Sequence, residues 1–253
     1  MLAQGILEAL GFCVARTTGH SARQCDFLVS DERSRYLVEV KSRFDNEELD
    51  ATLDSGKCYF DSQDLHYSAA VERTIRHAMK QLRASSHSAR DAFWIVWLYA
   101  CKRFGRSVSF KQAVGTLYGI TEILSADREG TALSRGCLFF RESVFFRWPE
   151  LVASIVCEGH DNFALCLNPF GSAIDAFRNS RLCQEFAQRS GVFDPDALSV
   201  RESYYVADCG IDRKQPHQVL GFVKTKYGLE VAWDVYPKEH AALAAVPRPD
   251  NKT

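Results

Sequence analysis

Apolar residues recur at helical spacing over the first ten positions, where Leu2, Ile6, Leu7 and Leu10 fall on one side. Gly11 follows in the place of a C-terminal cap. Phe12 to Ala15 is a short apolar run that predicts a first strand, and polar Thr17 to Gln24 predicts a loop. Two strand-like runs come next, Cys25 to Ser30 and Tyr36 to Arg43, separated by the charged stretch Asp31 to Arg35. That is the pattern of an antiparallel hairpin. Residues 45–64 carry seven acids and one lysine and predict a solvated connection or lid. Ala69, Ala70, Ile75, Ala78, Met79 and Leu82 give residues 66–85 the partial apolar face of a helix. The aromatic, β-branched run from Asp91 to Ala100 then predicts a buried strand. Helix, strand, strand, strand, helix, strand is the order of an α/β core covered on both faces.

Beyond residue 105 the pattern changes. Ser109 to Ile120 predicts a helix, and the runs 137–146, 151–159 and 163–170 predict strands. Residues 172–190 predict another helix, and the strand-like pieces 203–208, 218–225 and 229–236 follow. The expected organisation is a core over residues 1–105, an α+β lobe over 106–240 and a disordered tail over 241–253.

Composition narrows the class. The chain has 253 residues, 46% hydrophobic and 25% charged, with a net charge of −1, so a generic basic coat for nucleic acid is excluded while a local basic patch is not. Nine cysteines without a single CxxC pair, many of them in apolar runs, predict reduced thiols in a cytoplasmic protein. No secretory leader is visible, and the most apolar stretch, Ala92 to Cys101, is too short for a membrane-spanning helix.

The candidate chemistry lies in the hairpin. Side chains alternate faces along a strand, so Glu39 and Lys41 share one side, and a hairpin brings Asp26 alongside Glu39. Two converging carboxylates repel unless a cation lies between them. Hard divalent ions are held by one or two carboxylates with water and phosphate oxygens, so magnesium is expected, with manganese as a substitute. In this reading Asp26, Glu39 and the Val40 backbone carbonyl are the metal ligands. Lys41 orients or deprotonates an attacking water, or stabilises developing negative charge.

The constellation of Gly11-Phe12, Asp26, Glu39-Val40-Lys41, a helix and an apolar strand resembles the PD-(D/E)XK nuclease superfamily over roughly residues 1–100. Cys25 stands where the family has a proline beside its first acid. The resemblance implies a restriction-endonuclease-like mixed sheet flanked by helices. It also implies magnesium-dependent hydrolysis of DNA phosphodiesters, in restriction or phage defence, with Asp26, Glu39 and Lys41 in the catalytic roles. It further implies a first-helix glutamate, for which Glu8 is the candidate, and a polar residue on the following helix, for which Gln81 is the candidate and His77 a second.

Cations cluster on that helix. Arg76, Lys80 and Arg83 are candidate phosphate contacts, and in the loop before Asp26 Arg23 and His20 are candidates to approach the scissile phosphate. His160, Asp161 and Asn162 read as a turn. Phe139, Phe140, Phe145, Phe146 and Trp148, flanked by Arg141 and Arg147, read as core packing with base stacking as the alternative. Expected partners are DNA, with RNA open, and a second copy or another protein through residues 106–240. The competing reading is a non-catalytic nucleic-acid-binding or assembly module on the same fold.

Overall fold

The computed structural model describes residues 2–17, 24–43, 51–52, 54–64, 66–100, 106–126, 132–158, 162–189, 191–201, 203–235 and 240–245. They form a mixed α/β structure around a seven-stranded mixed sheet.

Helix α1 (Leu2–Ala9) buries Ala3 and Leu7, one turn apart, and ends at Gly11, whose φ of +79° only glycine adopts freely. The Gly11 amide donates to the Glu8 carbonyl (2.9 Å) and the Phe12 amide to the Leu7 carbonyl (3.0 Å), the paired bonds of a Schellman stop. β1 (Cys13–Arg16), β2 (Phe27–Ser30) and β3 (Arg35–Arg43) form an antiparallel meander, with Phe27 opposite Val38 and Ser30 opposite Arg35. The Asp31 carboxylate closes the tight turn by accepting from the Arg33 and Ser34 amides, each at 2.8 Å.

Helix α2 (Ala69–Ser85), capped by Ser68, carries the chain to β5 (Phe93–Ala100), which lies parallel to β3. The sheet continues through β8 (Leu151–Glu158), parallel to β5, then β9 (Asn162–Leu167) and β10 (Val192–Phe193), giving the order β1-β2-β3-β5-β8-β9-β10. The boundary expected at residue 105 is therefore corrected: three strands from beyond it complete the sheet. Alternation along β5 sends Ile95, Trp97 and Tyr99 to one face and Val96 and Leu98 to the other. The first face is covered by α1, α5 (Ile174–Arg178) and α6 (Arg181–Arg189), through Leu7, Phe177, Leu182 and Phe186. The second is covered by α2 and α3 (Arg106–Tyr118), through Ile75, Leu82, Leu117 and Tyr118. The helix expected over residues 172–190 is thus two short ones.

A second sheet has the order β11-β7-β6-β12, from β6 (Thr121–Ala126), β7 (Ala132–Leu138), β11 (Tyr205–Val206) and β12 (Val231–Val235). It packs Ile123, Cys137 and Tyr205 on Val219 and Val223 of α8 (Pro216–Tyr227). Residues 218–225 are helical where a strand was expected, because Val219 and Val223 form a buried i,i+4 stripe bounded by Pro216 and by Gly228 at φ +64°. After β7 the apolar run turns at Phe139 and re-forms as α4 (Val144–Arg147) instead of continuing as a strand. A further short helix, α7 (Pro195–Val200), precedes β11.

Two other expectations change. The acidic stretch before α2 ends in a strand, β4 (Tyr59–Asp64), and the expected tail supplies β13 (His240–Ala245), antiparallel to it. Residues 246–253 lie outside the described set. No helix among the described residues is long and apolar enough to cross a membrane.

Candidate active site

The hairpin register sets the site. Phe27 opposite Val38 places Asp26, one residue before β2, opposite Glu39. The Asp26 amide donates to Glu39 Oε2 (3.0 Å), and the Val40 amide donates to Asp26 Oδ2 (2.8 Å), so each carboxylate is held by the other acid's strand. Lys41 shares the Glu39 face, and its ammonium bridges Glu39 Oε1 and Gln81 Oε1, the latter at 2.7 Å. Gln81 reaches back from α2 to the Gln24 carbonyl (3.3 Å). The structure therefore brings Asp26, Glu39, Lys41 and Gln81 together.

Burial decides the electrostatics. Glu39 is 0% exposed, between β2 and β5 and beneath α2, whereas the Lys41 side chain keeps 24% of its surface. Loss of solvent pushes the Glu39 carboxyl up to about 7, against the hydrogen bond and charge of Lys41, and the neighbouring Asp26 pushes it further the same way.

The donor set fits a hard divalent cation. Two carboxylates face each other, and oxygens of this kind suit magnesium or manganese. The Val40 N–H points toward Asp26, and the carbonyl of the same residue shares that side of the strand. Among the described residues no cluster of three or more His, Cys, Asp or Glu that could hold a metal ion occurs. The acids at 45, 47, 48 and 50 lie outside the described residues.

Other expected members are elsewhere. Glu8 is solvent-exposed on α1, accepts from Gln4 Nε2 (2.9 Å), and lies on the opposite face of the sheet from Leu37 and Glu39. Its face was set by Ala3 and Leu7, which bury the other side of the helix. Arg76 pairs with Glu72 and Arg83 with Glu150, each at 2.9 Å. At roughly 100° per residue these two point about 140–160° away from Gln81, so they are not a basic patch on the site's flank. Lys80 is exposed about 100° from Gln81, and exposed His77 lies one turn before it on nearly the same side. Arg23 and His20 lie outside the described residues, as do His160 and Asp161. Asn162 begins β9 and donates to Glu158 (2.9 Å).

Phe139, Phe140 and Phe145 are fully buried, as the packing reading expected. Arg147 joins Tyr67 and Arg76 on the Glu72 carboxylate. A cavity of about 370 Å³ on that far flank of α2 is lined by His66, Glu72, Thr116, Arg141 and Arg147. None of the four site residues lines it.

Two residues that sequence reasoning passed over touch the site's backbone. Ser85 Oγ accepts from the Cys25 amide (2.8 Å), and Thr17 Oγ1 donates to the Cys25 carbonyl. Ser85 carried one signal, as a polar residue continuing the apolar stripe through Ile75, Ala78 and Leu82. Compared with protein-family models, curated proteins and solved structures, the chain gives no match to any of them.

Proposed function

We propose that this protein is a magnesium-dependent nuclease of the PD-(D/E)XK type that hydrolyses DNA phosphodiester bonds. The observation that carries the reading is the linked set Asp26, Glu39, Lys41 and Gln81, brought together from the residue before β2, from β3 and from α2 around a buried carboxyl. Asp26, Glu39 and the Val40 carbonyl would hold the cation. A magnesium ion bound there would supply Lewis-acid chemistry, lowering the pKa of water and offsetting charge on the phosphate.

The chain's own groups supply the rest. Glu39, fixed at both oxygens by the Asp26 amide and the Lys41 ammonium, holds its carboxylate in one orientation. The Lys41 side chain keeps 24% of its surface exposed while its ammonium is anchored at two points, so the ammonium can orient the attacking water or stand against charge developing on phosphate. Gln81 fixes that ammonium by accepting from it with Oε1 while its amide nitrogen is anchored on Gln24. Solvent-exposed Lys80 and His77 are the cationic and polar groups of α2 placed to meet a backbone beyond the site.

A non-catalytic DNA-binding module on the same fold is favoured by one observation, the position of Glu8 across the sheet from the other acids. One assay separates the two. Supercoiled plasmid and a single-stranded RNA are incubated with the protein and magnesium, with EDTA and the Asp26→Ala and Lys41→Ala variants as controls. Nicking or linearisation that requires magnesium and falls by about 10²–10³ in both variants supports the nuclease. Cleavage persisting in Lys41→Ala overturns this mechanism, cleavage of RNA alone overturns the substrate, and DNA binding without cleavage favours the module.

A further inference from the structure

Asp26 lies just outside β2, one residue beyond the last ladder pairs of β2 with β1 and β3. The three residues Gln24 to Asp26 are nevertheless held at every peptide plane. A peptide unit is rigid, so its orientation is set when its carbonyl and its N–H are both held. The plane joining Gln24 to Cys25 is held at both ends by α2: Gln81 Nε2 donates to the Gln24 carbonyl (3.3 Å) and Ser85 Oγ accepts from the Cys25 amide (2.8 Å), one helical turn apart. In the plane joining Cys25 to Asp26, Thr17 Oγ1 donates to the Cys25 carbonyl and Glu39 Oε2 accepts from the Asp26 amide (3.0 Å). The Asp26 carbonyl accepts from the Thr17 amide (3.2 Å).

We propose that Ser85 and Thr17 are positioning residues for Asp26, a clamp that fixes the two peptide planes before the acid and so aims its carboxylate at the cation. Ser85 is 4% exposed and Cys25 1% exposed, so the hydrogen bond between them is sealed from water. An apolar residue at 85 would continue the stripe of Ile75, Ala78 and Leu82 equally well, and the hydroxyl is what the Cys25 N–H requires. Cys25 stands where the resembled family has a proline, and it keeps an N–H that a proline would not present. A buried donor without a partner shifts to find one, and that movement falls on the residue adjoining Asp26. Displacement of a ligand by about 1 Å is enough to cost roughly 10²-fold in rate.

This inference deepens the nuclease reading and rests on it. The full chain and its Ser85→Ala, Thr17→Val and Thr17→Ser variants are compared in three measurements: kcat and KM on plasmid DNA, manganese affinity by calorimetry, and the thermal midpoint. Ser85→Ala and Thr17→Val are expected to weaken manganese binding about 10–100-fold and to lower kcat by a similar factor, with KM for DNA within about twofold. Thr17→Ser, which keeps the hydroxyl, is expected to stay within about threefold of the parent in both. Folded Ser85→Ala and Thr17→Val proteins with parental manganese affinity and kcat overturn the clamp. If Ser85→Ala does not fold, the Thr17→Val and Thr17→Ser pair decides, since Thr17 is only partly buried. A parent chain that neither binds manganese nor cleaves overturns the nuclease reading itself and the clamp with it. An active parent with unaffected variants overturns the clamp alone.

Discussion

Glu39 combines full burial with a neighbouring acid, and its ionisation is therefore linked to stability. Its carboxyl is pushed up to about 7 from an ordinary value near 4.5, so the folded protein binds a proton there more tightly than the unfolded chain does. The stabilising contribution is complete below about pH 4.5 and is lost as pH rises through about 7. In EDTA, the thermal midpoint of the parent should fall by a few degrees relative to Glu39→Gln between pH 5 and pH 8. The difference between the two proteins cancels the titration of groups not coupled to Glu39, and a difference that stays flat with pH would refute the assignment. Magnesium should reverse the loss in the parent and not in Glu39→Gln. At about a hundred times its dissociation constant a ligand adds about 2.7 kcal/mol, which for a chain of this size is roughly 5–10 °C. Much of this was legible beforehand, because face alternation together with a hairpin register puts Asp26 opposite Glu39 and Lys41 on the same side. Ser85 and Thr17 were not, since their partners are main-chain groups of Cys25, which every residue possesses and no motif records. Arg76 and Arg83 were assigned by proximity in sequence, and the acids that neutralise them, Glu72 and Glu150, could not be weighed without knowing which flank of α2 faces the site.

At the scale of elements, the strength of each stop and start decided how well it could be read. Gly11 sits at φ +79° beneath Arg181, whose guanidinium donates to the Leu10 and Gly11 carbonyls and lies 4.9 Å from the Phe12 ring centre. A Cβ at residue 11 would come within 2.8 Å of Arg181 Nη2, a flexible tip that can move, so the left-handed backbone is the larger penalty. Gly11→Ala should destabilise by about 1 kcal/mol in urea unfolding, while manganese affinity stays unchanged because α1 lies across the sheet from Glu39. Loss of manganese binding in that variant would place α1 in the site after all. Helix α1, with a glycine stop and a clean apolar side, was readable to within a residue or two, and α2, opened by Ser68, to its last residue and to within three at its start. The run 218–225 was not, because Val219, Leu220, Phe222 and Val223 satisfy both an alternating and a helical pattern. The choice falls to packing, where Val219 and Val223 together meet Ile123 and Cys137.

For the whole molecule, the decisive feature is that the strand beside the hairpin of the candidate site is central. β5 pairs with β3 on one side and with β8 on the other, and the β8 partner of Val96 is Ser154, whose hydroxyl also donates to the Val96 carbonyl at 2.9 Å. That pairing was not legible in the sequence. Leu151 to Cys157 is buried on both faces and apolar but for Ser154, as a doubly covered strand is, and such a run fits any central position equally well. A chain ending at residue 105 would leave the far edge of β5 unpaired. Ile95 and Trp97 would lose Phe177 and Phe186 from one face, and Val96 and Leu98 would lose Leu117 and Tyr118 from the other. An unpaired, flat, apolar edge recruits other chains. The fragment 1–105, although it contains Asp26, Glu39, Lys41 and Gln81, should therefore aggregate or show no cooperative unfolding by circular dichroism. Co-expression with 106–253 should return a 1:1 complex with the full chain's spectrum, since the second fragment carries β8, β9 and the covering helices α3, α5 and α6. A soluble fragment 1–105 that unfolds cooperatively and binds manganese with the parent's affinity would show instead that the hairpin of the candidate site needs only its local neighbours.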